Sequence, residues 1–275
     1  MFSKACIPLD GSYLAEEVLP YLQHLMPPDR SELLLISNLV DTSGEMKEYL
    51  RQIARHLPFA RVETQITDGE VAGSILEAST EFGADLIALS SHGRSGIARA
   101  ALGSVAHQIV QAARQPVFLA PPQVAPAHRF ARILVPLDGS ELSQRALPLA
   151  QTVAGFADCE IVLMTAIEQV TSSQLDDLQN NGTASPEATD VVAEAQRNLA
   201  EVKYDMSYAR CTTRLAAGKP AQTILAISEH EEIDLIVQCT HGRTGYDLWR
   251  HGSVASELMH SSTVPILIIG GAPIP

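Results

Sequence analysis

No apolar run in this sequence of 275 residues approaches the ~20 that a helix needs to cross a bilayer, so a membrane span is not expected. Met1-Phe2-Ser3-Lys4-Ala5-Cys6-Ile7-Pro8 lacks a charged-then-apolar leader layout and reads directly into a strand. Basic residues are in deficit. Lys and Arg number 19 against 32 Asp and Glu, a formal net charge of −13. Such a surface repels phosphate backbones and anionic lipid, so neither nucleic acid nor a membrane is expected as a general partner, although a local site for one small anion remains open. The four cysteines, Cys6, Cys159, Cys211 and Cys239, form no CxxC pair. They read as reduced thiols of a cytoplasmic protein, not as disulfides or zinc ligands. A phosphate-binding Gly-x-x-x-x-Gly-Lys-Ser/Thr loop is also missing, because Gly218-Lys219-Pro220 has neither the upstream glycine nor the hydroxyl.

What is present is a repeat. Ile7-Pro8-Leu9-Asp10-Gly11-Ser12 returns as Val135-Pro136-Leu137-Asp138-Gly139-Ser140. Ser91-His92-Gly93-Arg94-Ser95-Gly96 returns as Thr240-His241-Gly242-Arg243-Thr244-Gly245, and Gly103-Ser104-Val105-Ala106 as Gly252-Ser253-Val254-Ala255. Asp10 and Asp138 lie 128 positions apart, whereas Gly93 and Gly242 lie 149 apart, so the second copy carries 21 extra residues between its first and fourth strands. The polar stretch 168–189, with Asn180-Asn181-Gly182, is where they are expected, as a mobile loop with little core of its own. Between the copies, three prolines in Pro121–His128 mark an extended linker. The expected domains are 1–122 and 131–275, joined by a linker over 123–130.

Within the first copy, apolar runs at Ala5–Leu9, Leu33–Leu39, Arg61–Ile66, Leu86–Leu89 and Val117–Ala120 predict strands. Tyr13–Leu25, Met46–Arg55, Val71–Phe82 and Val105–Ala113 predict helices, with Ser12 capping the first and Ser104 the last. The second copy repeats the order, its strands falling at Ile133–Pro136, Glu160–Ala166, Tyr208–Leu215, Leu235–Gln238 and Ile266–Ile269. Alternating β and α elements imply two tandem doubly wound α/β domains, each a parallel sheet of five strands with helices on both faces. Ligands of such sheets bind beyond the carboxyl ends of the strands, where strand order reverses. Asp10 and Asp138 follow the first strand of each copy, and Ser90-Ser91-His92-Gly93 and Cys239-Thr240-His241-Gly242 follow the fourth. Gly103-Ser104 and Gly252-Ser253 open the last helices, where free backbone N–H groups and the helix dipole suit phosphate. Each motif also has a plainer reading as a turn or a helix cap. His92 and His241 have no second ligand at helical spacing, so a loop role is expected and no metal site. Arg94 and Arg243 either reach phosphate or stay solvated.

These residues together resemble the universal stress protein family over nearly the whole chain. Its nucleotide signature is Gly-x-x-Gly, nine residues, then Gly-Ser/Thr. Gly93 with Gly103-Ser104 and Gly242 with Gly252-Ser253 match the second part, but Ser90 and Cys239 stand at the first glycine. The resemblance implies an adenine nucleotide alpha hydrolase-like, Rossmann-like fold that binds ATP, with or without magnesium. It also implies a homodimer or an equivalent pairing of the two halves, and a regulatory or protective role in stress response rather than catalysis. The implied ligand contacts are Pro8, Leu9, Asp10, Leu39, Ser90, His92, Gly93, Gly103, Ser104 and Val105 in copy one. In copy two they are Pro136, Leu137, Asp138, Ala166, Cys239, His241, Gly242, Gly252, Ser253 and Val254. Leu39 and Ala166 would meet the base through their backbone, the aspartates the ribose, and the glycines and serines the phosphates. Leu102, where copy two has His251, makes the final loop of copy one the more typical. Two alternatives stay open: a module that has lost the nucleotide and acts by protein contact, and an ATPase, which would need a water-activating group and normally a metal site.

Overall fold

The computed structural model describes residues 1–39, 44–91, 102–122, 129–182, 184–240 and 253–270. By packing, the chain divides into two compact units, Met1–Arg129 with Met259–Pro275, and Phe130–Leu258.

In the first unit, β1 (Lys4–Pro8) pairs in parallel with both β2 (Glu32–Ser37) and β4 (Leu86–Ser90). β3 (Arg61–Ile66) adds in parallel outside β2, and β5 (Val117–Ala120) outside β4. The order β3-β2-β1-β4-β5 reverses direction between β1 and β4, so their carboxyl ends open a crevice. Burial follows from sequence: Leu33–Ile36 and Leu86–Ser90 are continuously buried, as strands covered by helices on both faces must be. The helix α4 (Val71–Phe82) is capped by Glu70, whose carboxylate accepts from the N–H groups of Ala72 and Gly73, and stops at Gly83 with φ of 71°. In α3 (Glu45–His56), Glu45 and Glu48 sit in the first turn and Arg55 and His56 in the last, each sign where the helix dipole favours it.

The expected first helix is broken. Residues Tyr13–Glu16 form α1, Leu19–Tyr21 a 3₁₀ turn around Pro20, and Leu22–Leu25 form α2, because proline removes an N–H from the ladder. Ser12 caps α1 as expected, its hydroxyl accepting from Ala15 N–H at 3.2 Å. Ser104 does not cap α5 (Ser104–Ala112). Gly103 occupies the N-cap in extended conformation and Ser104 is already the first helical residue.

In the second unit, β6 (Arg132–Pro136) pairs in parallel with β7 (Glu160–Ile167) and β9 (Leu235–Cys239), and β8 (Cys211–Ala217) adds outside β7. The helices α6 (Glu141–Gln144) and α7 (Ala146–Ala157) follow β6, α10 (Pro220–His230) follows β8, and α11 (Ser253–Ser261) precedes the closing strand. That strand, β10 (Ile266–Ile269), falls with the first unit, although the repeat assigns it to the second domain. It lies antiparallel on β5, with Leu267 opposite Phe118. All four residues of β5 are buried, and β10 satisfies the backbone edge that β5 would otherwise leave unpaired.

The extra residues of copy two are not a coreless loop. They form α8 (Ser172–Asn181) and lengthen the following helix, α9 (Pro186–Asp205), to 20 residues. Thr171 and Gln174 make a reciprocal capping box, Gly182 closes α8 in left-handed conformation, and Ser185 caps α9 ahead of Pro186. Val170, Leu175, Ala188 and Val192 pack with Ile167 into a small buried core. Polar composition concealed this because each helix buries only one narrow stripe.

Candidate nucleotide-binding site

Both Asp-Gly-Ser motifs fold alike. After β1, Leu9 N–H donates to Ile36 O at 2.8 Å, Asp10 Oδ1 accepts from Ser12 N–H at 2.9 Å, and Gly11 supplies a φ of 79°. After β6, Leu137 N–H donates to Met164 O at 2.7 Å, and Asp138 Oδ1 accepts from Ser140 N–H at 3.0 Å and from Ser140 Oγ at 2.6 Å. One carboxylate oxygen of each aspartate therefore shapes the turn that presents it.

Across the crevice in copy one, Ser90 ends β4 and is buried. Ser91 joins three elements: its N–H donates to Ala120 O and its carbonyl accepts from Gly103 N–H, both at 2.8 Å. The amino end of α5 is thereby held at the end of β4, with Gly103 and Val105 half-buried and Ser104 exposed. Leu39 N–H reaches Ser37 Oγ at 3.4 Å, and Pro8 is half-buried at the end of β1. His92, Gly93 and Arg94, and in copy two His241, Gly242, Arg243 and Gly252, lie outside the described residues. Ser253 begins α11.

In copy two the same strand ends line a cavity of about 490 Å³. Of the residues singled out from sequence, Pro136, Leu137, Asp138, Ala166, Cys239 and Val254 meet in its wall. The more typical final loop belongs to copy one, and this cavity to copy two. Strand pairing shows one difference between the two crevices. Pro8 pairs with Ile36 and Pro136 with Met164, so Ala166 is the counterpart of Asn38, whose larger side chain donates to Thr67 Oγ1 at 3.3 Å and Ser74 Oγ at 3.4 Å.

Sequence reading missed two parts of the wall. The first is α9, which contributes Val191, Glu194, Ala195 and Asn198, spaced along one helical face. Their i, i+3, i+4, i+7 spacing was the available signal, lying just beyond the 168–189 stretch expected as a loop. The second is Gln238, 4% exposed and the residue of β9 just before its last, Cys239. Asp138, Glu168 and Glu194 bring three carboxylates to the lining, and no lysine, arginine or histidine lines it among the described residues. Acceptors thus dominate, which suits ligand hydroxyl and amino donors. Cys239 is half-buried there, whereas Cys6, Cys159 and Cys211 are buried. Burial pushes the Cys6 thiol up to about 12 and Cys159 to about 11, so both are held as neutral core groups.

Comparison with known proteins agrees over both halves. The sequence model of the Universal stress protein family matches residues 20–121 and 129–270. Universal stress protein Rv2005c of Mycobacterium tuberculosis is 27% identical over 209 residues, 75% of this chain and 68% of that protein. Universal stress protein MJ0531 of Methanocaldococcus jannaschii is 30% identical over 142 residues, 51% of this chain and 82% of that protein. In three dimensions, a universal stress protein from Archaeoglobus fulgidus superposes with a TM-score of 0.74 at 21% identity, covering 98% of each chain. A functionally unknown protein of Pseudomonas aeruginosa gives 0.71 at 16% identity, over 98% of this chain and 92% of that one.

Proposed function

We propose that this chain, which belongs to the universal stress protein family, binds an adenine nucleotide in the crevice of copy two and serves as a regulatory or protective module in the cytoplasm, not as an efficient enzyme. The observation that carries the proposal is the cavity of about 490 Å³ at the ends of β6, β7 and β9, whose wall includes Pro136, Leu137, Asp138, Ala166, Cys239 and Val254 from the sequence-derived set. Its size is that of small-molecule sites. Asp138 is placed to accept from ribose hydroxyls, while Ala166 and Val254 offer small apolar contact and the start of α11 lies beside the crevice for phosphate. Bound ATP would supply no chemistry here beyond its own recognition; the chain's part is to orient the nucleoside and shield it from water. Reduced thiols and the lack of any described helix long and apolar enough to span a membrane are compatible with a cytoplasmic setting.

The first measurement is the small-molecule content of the purified protein, released by denaturation and read by mass spectrometry. ATP, ADP or AMP near one equivalent supports the proposal. None, followed by no calorimetric response to ATP and magnesium, sinks it. That outcome would favour the second reading, a family member acting by protein contact, for which Ser90 and Cys239 in place of glycine are the supporting observation.

A further inference from the structure

Gln238 is buried to 4% exposure, and its side-chain Nε2 has no hydrogen-bond partner among the described residues. It lines the copy-two cavity beside Cys239 and Thr240. An orphaned buried amide donor costs roughly 1–3 kcal/mol, so packing alone gives no reason for one here. Copy one makes the same point. Leu89 precedes Ser90 as Gln238 precedes Cys239, and Leu89 is buried to 5% exposure. The strand end therefore accepts a plain hydrocarbon of similar size in an equivalent setting.

Charge narrows what completes the amide. An anionic acceptor would satisfy Nε2 but would sit in a chamber lined by Asp138, Glu168 and Glu194 with no basic side chain among the described lining. A neutral acceptor carried by a group that also bears hydroxyl or amino donors fits both demands: the donors go to the carboxylates, the acceptor to Gln238. A ribose ring or a purine edge has that combination, and a phosphate does not.

We infer that Gln238 is a specificity-determining residue of copy two, donating its side-chain N–H to an uncharged acceptor on the nucleoside portion of the ligand, in the cavity that α9 also lines. The inference rests on the nucleotide reading of the same cavity. It also separates the copies chemically, since Leu89 offers no donor.

Calorimetry with adenosine, AMP and ATP on the full chain tests it, for the parent and for Gln238→Leu and Gln238→Glu, with thermal melts of each unliganded protein. Loss of one neutral hydrogen bond predicts roughly five- to tenfold weaker binding in Gln238→Leu, by the same factor for all three ligands because the phosphates are not involved. Unliganded Gln238→Leu should melt at or above the parent temperature, since an unsatisfied donor has gone. Gln238→Glu, which adds a fourth carboxylate, should bind more weakly still. Binding in Gln238→Leu equal to the parent overturns the inference and leaves the nucleotide reading intact. A loss confined to ATP overturns it too, by moving the contact to the phosphates, and so does a melting point several degrees lower, which makes Gln238 a structural residue. A parent that binds none of the three overturns both readings.

Discussion

Gly103 donates its backbone N–H to the carbonyl of Ser91 at 2.8 Å, which fixes the start of α5 against the end of β4. Its φ of −60° is open to any residue, and an added Cβ would meet Ser91 O at 3.4 Å, an ordinary contact. Gly103 is therefore not required for the backbone itself. Its value lies in the open approach it leaves to the helix N-terminus. Gly103→Val should keep the fold, with a melting point within a few degrees of the parent, yet weaken any ATP bound by copy one tenfold or more. Equal ATP stoichiometry and affinity in variant and parent would remove copy one from the candidate sites.

The insertion makes a second test. Thr171 and Gln174 cap α8, and Leu175 and Val170 pack with Val192 of α9, which also walls the cavity. Thr171→Ala should cost about 1 kcal/mol at the helix start. Hydrogen exchange over 172–181 should rise, with little change in β6 or β9. Unchanged protection there would mean that packing, not the cap, holds α8.

The strands, their parallel pairing and the Asp-Gly-Ser turns were legible because each is a local pattern. Leu33–Ile36 is apolar without a break, and Gly11 and Gly139 mark positive φ in both copies. What was not legible depended on partners distant in sequence. Nothing within Ile266–Ile269 specifies that β10 runs antiparallel on β5. Nothing in the polar stretch around Asn180 advertises that α9 will stand beside Asp138. The Thr171-x-x-Gln174 capping signature was there to be read, and composition outweighed it. Residues 92–101 and 241–252, which hold the middle of each phosphate motif, fall outside the described residues.

Alkaline pH should loosen the fold through Cys6. Its thiol is fully buried beside the helix α4 and is pushed up to about 12, against about 8.5 in an unfolded chain. Between these values only the unfolded chain releases the proton, so the contribution is intact below about pH 8.5 and falls by about 1.4 kcal/mol per pH unit as pH climbs toward the folded value. Urea unfolding at pH 8 and pH 10 measures it. Cys6→Ala should be less stable at pH 8, from lost packing, but should lose less on going to pH 10. Parallel losses in both proteins would assign the alkaline sensitivity to other groups.

Thiol accessibility reports on the cavity without any knowledge of the ligand. Cys239 is half-buried in the cavity wall, and the other three cysteines are buried. An aromatic disulfide reagent at pH 8 should therefore show one fast thiol in the native protein. Cys239→Ser should abolish that phase, and saturating ATP should slow it severalfold. A fast phase that survives in Cys239→Ser would place the reactive thiol elsewhere.

Asp138 is the residue on which the turn reading and the ligand reading divide. Its Oδ1 accepts from Ser140 N–H and Ser140 Oγ, and an asparagine carbonyl can accept the same two bonds. Asp138→Asn should thus preserve the turn and the cap that Ser140 gives Ser143 at 3.2 Å, with a melting point within about 3 °C of the parent. What it loses is the charge that strengthens acceptance from ligand hydroxyls, worth about 1.5 kcal/mol or somewhat more, or roughly tenfold in affinity for adenosine and AMP. For ATP the loss should be smaller, because removing one of three carboxylates also relieves repulsion of the phosphates. A large drop in melting point with unchanged affinity would make Asp138 a turn residue only, and the equivalent change at Asp10 would then carry no expectation for binding in copy one.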